Sequence, residues 1–212
     1  MTIRRKTTLI ILSVLTALTA CAMAIISVQL LVHARADELL ETSRRTSRAF
    51  TVFANMVSDL ERATSDYAAW DDTCAFVTDR NEDYIRANLV DETFSRNNFG
   101  FMVFLDAQDD LVFGDGYDPE AGRRKPAPAG LLTSLSPGTP LLRAGADKPL
   151  SGILVIDEGP FLISSSPILT STFEGPSRGT LLIGRPLDTA ALAFLAHLTL
   201  LQPVLHRVSD EE

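Results

Sequence analysis

The chain has little of what catalytic and metal-binding proteins usually display. Its 212 residues hold two cysteines and three histidines. Cys21 falls inside an apolar run and Cys74 in the polar body beyond it, so the two cannot pair. His33, His197 and His206 lack a zinc-binding spacing. Ser164-Ser165-Ser166 is not a G-x-S-x-G elbow, and Gly114-x-Gly116 lacks the third glycine of a dinucleotide loop. Asp106 to Asp110 lacks the ligand rhythm and glycine of a calcium loop. Neither Asp71-Asp72 nor Asp109-Asp110 sets two carboxylates face to face, because adjacent residues diverge on helix and strand alike. These absences argue against an enzyme and against a resident metal or cofactor. Positive charge is also scarce. Beyond Arg4, Arg5 and Lys6, the remaining 16 Lys and Arg face 27 Asp and Glu, a balance of −11 that repels phosphate backbones and argues against nucleic acid.

A third absence is of charge altogether. Leu9 to Val32 carries no charged side chain and follows three basic residues. At about 1.5 Å per residue a helix of that length spans about 36 Å, more than the hydrocarbon core of a bilayer needs. A cleaved signal peptide would use a shorter apolar core. Leu18-Thr19-Ala20-Cys21 resembles a lipoprotein cleavage box, but the residues after it stay apolar. An uncleaved anchor is the expectation. Arg35, Arg44, Arg45 and Arg48 nearly balance the leading basic cluster, although Asp37, Glu38 and Glu41 offset them. The reading puts residues 1–8 in the cytoplasm, a transmembrane helix at 9–33, an external domain at 34–206 and an acidic tail at 207–212. The protein is then expected in the inner (cytoplasmic) membrane, single-pass, with its domain facing the periplasm or exterior.

From Ala34 to about Ala69 there is neither proline nor glycine. Phe50, Phe53, Val57, Leu60, Thr64 and Tyr67 recur at helical spacing, as a core-packing face or a dimer seam. A second helix is expected over about Glu82 to Arg96, with Asp79 or Asn81 as its cap. Strands are expected at Phe99 to Leu105 and at Leu111 to Phe113, ending at Gly114 and Gly116. Pro119 to Pro149 reads as a connection across one face with a short helix near Leu131 to Leu135. Gly152 to Ile156, Phe161 to Leu169 and Thr180 to Arg185 complete five strands, before an apolar helix from Thr189 to Leu201. The fold class is α+β, with a mainly antiparallel five-stranded sheet.

Several pieces together resemble the extracytoplasmic sensor family called CHASE, type 4. They are D-Y-A-A-W-D-D-T-C-A-F-V at 66–77, N-E-D-Y-I-R-A-N-L at 81–89, F-M-V-F-L-D at 101–106, P-F-L-I-S-S-S-P-I at 160–168 and G-T-L-L-I-G-R-P-L-D at 179–188. The resemblance implies a PAS-like sensory fold outside the membrane of a bacterial receptor whose output is a cyclase, phosphodiesterase or histidine kinase. Cys74 stands where an aromatic residue is usual in such motifs. The end at Ser209-Asp210-Glu211-Glu212 leads the reading to expect either a truncated receptor or an output carried by a partner chain.

Tyr67, Trp70 and Asp71 adjoin on a helix and could wall a small-molecule pocket. Equally, Tyr67 and Trp70 could pack the core while Asp71 or Asp72 caps the next helix. Tyr84, Asn88 and Arg185 are further ligand candidates. Arg185 could instead pair a carboxylate such as Asp71 or Asp188. The expected function is sensing of an unknown small-molecule ligand, without an output domain of the chain's own. Partnership is expected as a homodimer through the long leading helix, or with a receptor carrying a cyclase or histidine kinase. An anchored periplasmic interaction module without a ligand is the alternative.

Overall fold

The computed structural model describes residues 3–136, 138–143 and 148–199. The expectations for Leu200 and Leu201, for His206 and for the acidic tail lie outside these residues. The chain divides into two units, Met1–Arg48 and Ala49–Glu212.

Helix α1 covers Ile3–Ala68, as the absence of helix breakers requires. In the first unit its side chains at 14–27 are all exposed, and they are apolar apart from threonine and serine. The hydroxyls of Thr19 and Ser27 donate back to the carbonyls of Leu15 and Met23, at 2.9 and 2.8 Å. Among the described residues no helix is long and apolar enough to cross a membrane. The side chains at 9–13, 28 and 30–33, which belong to the expected span, lie outside them.

In the second unit three short helices follow: α2 (Asp71–Asp79), α3 (Glu82–Asn88) and α4 (Asp91–Asn97). Strands β1 (Phe101–Asp106), β2 (Leu111–Asp118) and β3 (Arg123–Pro126) lead to α5 (Ala129–Ser134). Then come β4 (Leu150–Ile156), β5 (Gly159–Pro167), β6 (Gly179–Pro186) and α6 (Thr189–Thr199). Among the described residues the sheet has six strands in the order β3-β2-β1-β6-β5-β4, with every neighbour antiparallel.

The expected five strands are therefore corrected to six. The addition is β3, whose sequence R-R-K-P carries neither apolar alternation nor β-branched residues. It lies at the sheet edge, where lysine and proline are tolerated and deter further pairing. Arg124 fastens it: its backbone N–H donates to Asp91 at 3.0 Å, and its guanidinium lies 3.4 Å from Asp91 and 3.3 Å from Asp115. Strand β2 also runs past the glycines expected to end it. A Cβ at Gly116 would meet the Pro126 and Gly100 carbonyls at 3.1 and 3.2 Å, so glycine serves there as a close approach within the strand. The single helix expected over 82–96 is broken at Leu89 and Val90, and α2 is the helix after the turn that the sequence offers only as an alternative, with Asp71 or Asp72 as its cap.

Both faces of the sheet are covered. On one, Met102, Phe104, Leu162, Leu181 and Ile183 pack against Leu60, Phe76, Tyr84 and Phe94 from the helices. On the other, Phe101, Val103, Leu105, Ile163 and Leu182 pack against Leu131 and Leu141 from the connection after β3. Along α1, Leu60 and Thr64 are fully buried, and Phe53, Val57 and Tyr67 are partly buried against the same core. Core packing thus accounts for the stripe from Phe53 onward, whereas Phe50 is 71% exposed.

Candidate functional site

The chain turns between α1 and α2 at Ala69 and Trp70. Trp70 occupies the N-cap position of α2 with extended backbone angles and provides no side-chain cap. Its indole packs on the Tyr67 ring, with centroids 4.9 Å apart and planes inclined at 40°. Tyr67 in turn meets the Phe99 ring edge-on at 6.2 Å. The Arg185 guanidinium stands over Phe99, 5.7 Å from its centroid, and its Nε donates to the Asn97 carbonyl at 3.1 Å. Three elements and one connecting residue therefore converge: Tyr67 from the end of α1, Trp70 from the start of α2, Phe99 before β1 and Arg185 from the end of β6.

The electrostatics follow from half-burial. Burial pushes the Tyr67 hydroxyl above its ordinary pKa. Burial also lowers that of Arg185, with the Asp59 carboxylate opposing the change. The guanidinium pairs with no carboxylate among the described residues, and its two Nη groups have no hydrogen-bond partner there. The expected pairing of Arg185 with Asp71 or Asp188 is thus corrected. Asp188 accepts from the Ala191 N–H at 2.8 Å as the cap of α6. Asp71 accepts from Ser171 N–H at 3.0 Å and from its hydroxyl at 2.7 Å, tying the start of α2 to the loop between β5 and β6. Those two bonds hold the Asp71 carboxyl below its usual range.

Tyr84 and Asn88 lie elsewhere. They line a cleft of about 280 Å³ between α2 and α3, together with Asp72, Asn81 and Asp83. The Tyr84 ring is buried, stacked on Phe76 at 4.5 Å and 13°. Its hydroxyl shares a 2.7 Å hydrogen bond with Thr73, whose own hydroxyl donates to the Tyr67 carbonyl at 2.8 Å. Asn81, one of the two expected caps, accepts from the Tyr84 N–H at 2.8 Å. The six candidates thus form an aromatic–cationic group (Tyr67, Trp70, Arg185), an acidic cleft (Tyr84, Asn88) and a structural clasp (Asp71). Thr73 connects the first two through the backbone.

Three contributors escaped the sequence reading. Phe99 is placed in a strand by its apolar run, Thr73 carries no sequence signal for its link between the two tyrosines, and Ser171 lies a hundred positions from its partner Asp71. Among the described residues no group of three or more His, Cys, Asp or Glu could hold a metal ion.

Comparison with known proteins places the chain in a family. Residues 52–206 match the CHASE4 domain. The chain is 38% identical over 144 residues to the methanogenesis regulatory histidine kinase FilI of Methanothrix harundinacea (strain 6Ac), a match covering 68% of this chain and 16% of that protein. It therefore spans about a sixth of the curated relative. Among solved structures, the extracellular domain of vpHK1S-Z8 superposes with a TM-score of 0.50 at 13% identity, covering 72% of this chain and 58% of that one. The sensor domain of E. coli DcuS gives 0.42 at 15% identity, covering 68% and 96%. The first of these shares the α+β fold with its antiparallel sheet. The chain belongs to the CHASE4 family of sensor domains.

Proposed function

We propose that this chain is the ligand-sensing input of a membrane-anchored receptor, with a PAS-like body outside the cytoplasmic membrane. The observation that carries the reading is the half-buried Arg185, whose Nη donors lack hydrogen-bond partners among the described residues, beside the aromatic group of Tyr67, Trp70 and Phe99. A planar guanidinium fork recognises a carboxylate in two parallel hydrogen bonds, and aromatic walls take up an apolar body. A ligand held there would touch α1, α2 and β6 together. It would shift the equilibrium between two arrangements of these elements only by its differential affinity for them. Strand β6 leads directly into α6, so the end of α1 and the root of the last helix are the parts whose spacing ligand binding would bias.

Anchoring is supported by the uncharged run Leu9 to Val32 and by the hydroxyls of Thr19 and Ser27, which are satisfied within the helix as polar groups in hydrocarbon must be. The kinship with a histidine kinase supports a kinase-type output, in the same polypeptide or in a partner. Trp70 is the chain's only tryptophan and is 39% exposed at the site, so its fluorescence reports occupancy directly. Titrating the full chain in lipid nanodiscs with a panel of small carboxylates is expected to give a saturable change in Trp70 emission that Arg185→Ala abolishes.

The alternative is an anchored pairing module, favoured by the exposed Phe50 at the head of the α1 stripe. It would be supported by a dimer that Phe50→Asp dissociates, combined with an emission spectrum that no carboxylate alters.

A further inference from the structure

A second cavity, of about 390 Å³, lies at the end of the sheet where β1 and β5 begin and β2 and β6 finish. Its walls include Tyr117, Phe161 and Pro186, and its charged groups are Lys125, Glu158 and Asp188. We propose that this cavity binds a zwitterionic small molecule of the amino-acid type with an apolar side chain. The ligand carboxylate would meet Lys125, its ammonium would meet Glu158 and Asp188, and its body would lie against Phe161 and Pro186.

The volume falls within the range of small-ligand sites. The charges select the class. Lys125 makes no salt bridge among the described residues; its charge acts on the Asp118 carboxyl only at longer range, and its exposed side chain can turn to an incoming acceptor. Glu158 accepts from the Gly130 N–H at 3.4 Å and Asp188 from the Ala191 N–H at 2.8 Å. An ionised carboxylate offers about four acceptor positions, so each keeps capacity for an ammonium. A purely anionic ligand would face two carboxylates against one amine, and a purely cationic one would be opposed by Lys125. Only a molecule carrying both signs is attracted by all three groups.

The position carries a consequence for signalling. Asp188 caps α6, and Leu187 N–H donates to the Pro160 carbonyl at 2.9 Å, so the cavity sits at the root of the last helix. A ligand bound there would stiffen that root. No residue is shared with the Trp70 group, so this proposal and the preceding one stand or fall separately.

The test uses the full chain in nanodiscs, with L-phenylalanine, L-leucine and L-proline as probes, read by saturation-transfer NMR and by amide exchange over 189–195. Saturable binding of at least one probe is expected, with slowed exchange over 189–195 and unchanged Trp70 emission. Lys125→Ala, on an exposed edge strand, should weaken binding about tenfold, the scale of one lost charge-assisted hydrogen bond. For the phenylalanine probe, phenethylamine and 3-phenylpropionate should each bind at least tenfold more weakly. Absence of saturable binding by all three probes would overturn the proposal. So would binding that Lys125→Ala leaves intact, or that phenethylamine reproduces.

Discussion

At the scale of single residues, proton bookkeeping decides how the two tyrosines are joined. Thr73 has one hydroxyl proton and gives it to the Tyr67 carbonyl, so the Tyr84 hydroxyl must be the donor in its bond to Thr73. Burial pushes the Tyr84 pKa from 10.0 to about 12. The protonated form is therefore favoured in the fold. Its stabilisation is fully present below pH 10 and is lost as pH rises through about 12, a span worth roughly 2–3 kcal/mol. Urea titrations between pH 9 and 12 should show stability falling through this window, and Tyr84→Phe should remove most of the slope. At neutral pH the same substitution should cost about 1 kcal/mol for the lost donor.

Asp71 has the opposite sign. Its carboxyl is held below the ordinary range by Ser171, so the clasp is intact above pH 3.8 and is released as pH falls through the lowered value. Asp71→Ala should accelerate amide exchange at Ser171 at neutral pH while leaving the β1 amides unchanged. Equal acceleration in β1 would mean that the clasp supports the whole domain.

At the scale of elements, the legible parts were those whose burial is repetitive. F-M-V-F-L-D reads as one apolar run because β1 is covered on both faces, with Phe101, Val103 and Leu105 on one side and Met102 and Phe104 on the other. Strand β3 was not legible, since an edge strand fastened by arginine–carboxylate contacts has no apolar pattern to read. The break between α3 and α4 also lacks a proline or glycine. It is made where Leu89 buries and the Thr93 hydroxyl takes the Asn88 carbonyl at 2.8 Å. In the site, the contact of Tyr67 with Trp70 forms across the turn at Ala69, not along one helix as their spacing of three suggests, and the place of Arg185 over Phe99 depends on strand register.

The register of β1 with β6 sets Gly184 opposite Phe101. A Cβ at Gly184 would fall 2.2 Å from the Phe101 ring, which is fully buried and has no room to withdraw. Gly184→Ala should therefore destabilise by about 1–3 kcal/mol through overpacking. The expected readout is a lowered melting temperature, recovered in part by Phe101→Leu. No recovery would place the strain in the backbone instead.

At the scale of the whole molecule, the balance of charge separates two solvents. The residues beyond Val32 carry −11 and belong in water, while Leu9 to Val32 carries no charge. A run of this kind is stable in water only if another surface covers it, whereas a bilayer accepts it directly. Retention of the full chain in membranes after alkaline carbonate extraction is the expected outcome, with an intact mass that includes the run. Arginine near the centre of a membrane helix costs about 3 kcal/mol per residue. Leu18→Arg combined with Ile25→Arg should therefore release the protein to the soluble fraction without altering the Trp70 emission spectrum. Topology is tested separately. Under the proposed orientation, in which the basic cluster at Arg4 to Lys6 would hold the leading end in the cytoplasm, protease added to spheroplasts should digest the sensor domain. A domain protected until the membrane is opened would reverse the orientation and move the ligand source to the cell interior. Recovery of a soluble chain shortened by its first two dozen residues would replace the anchor with a cleaved leader.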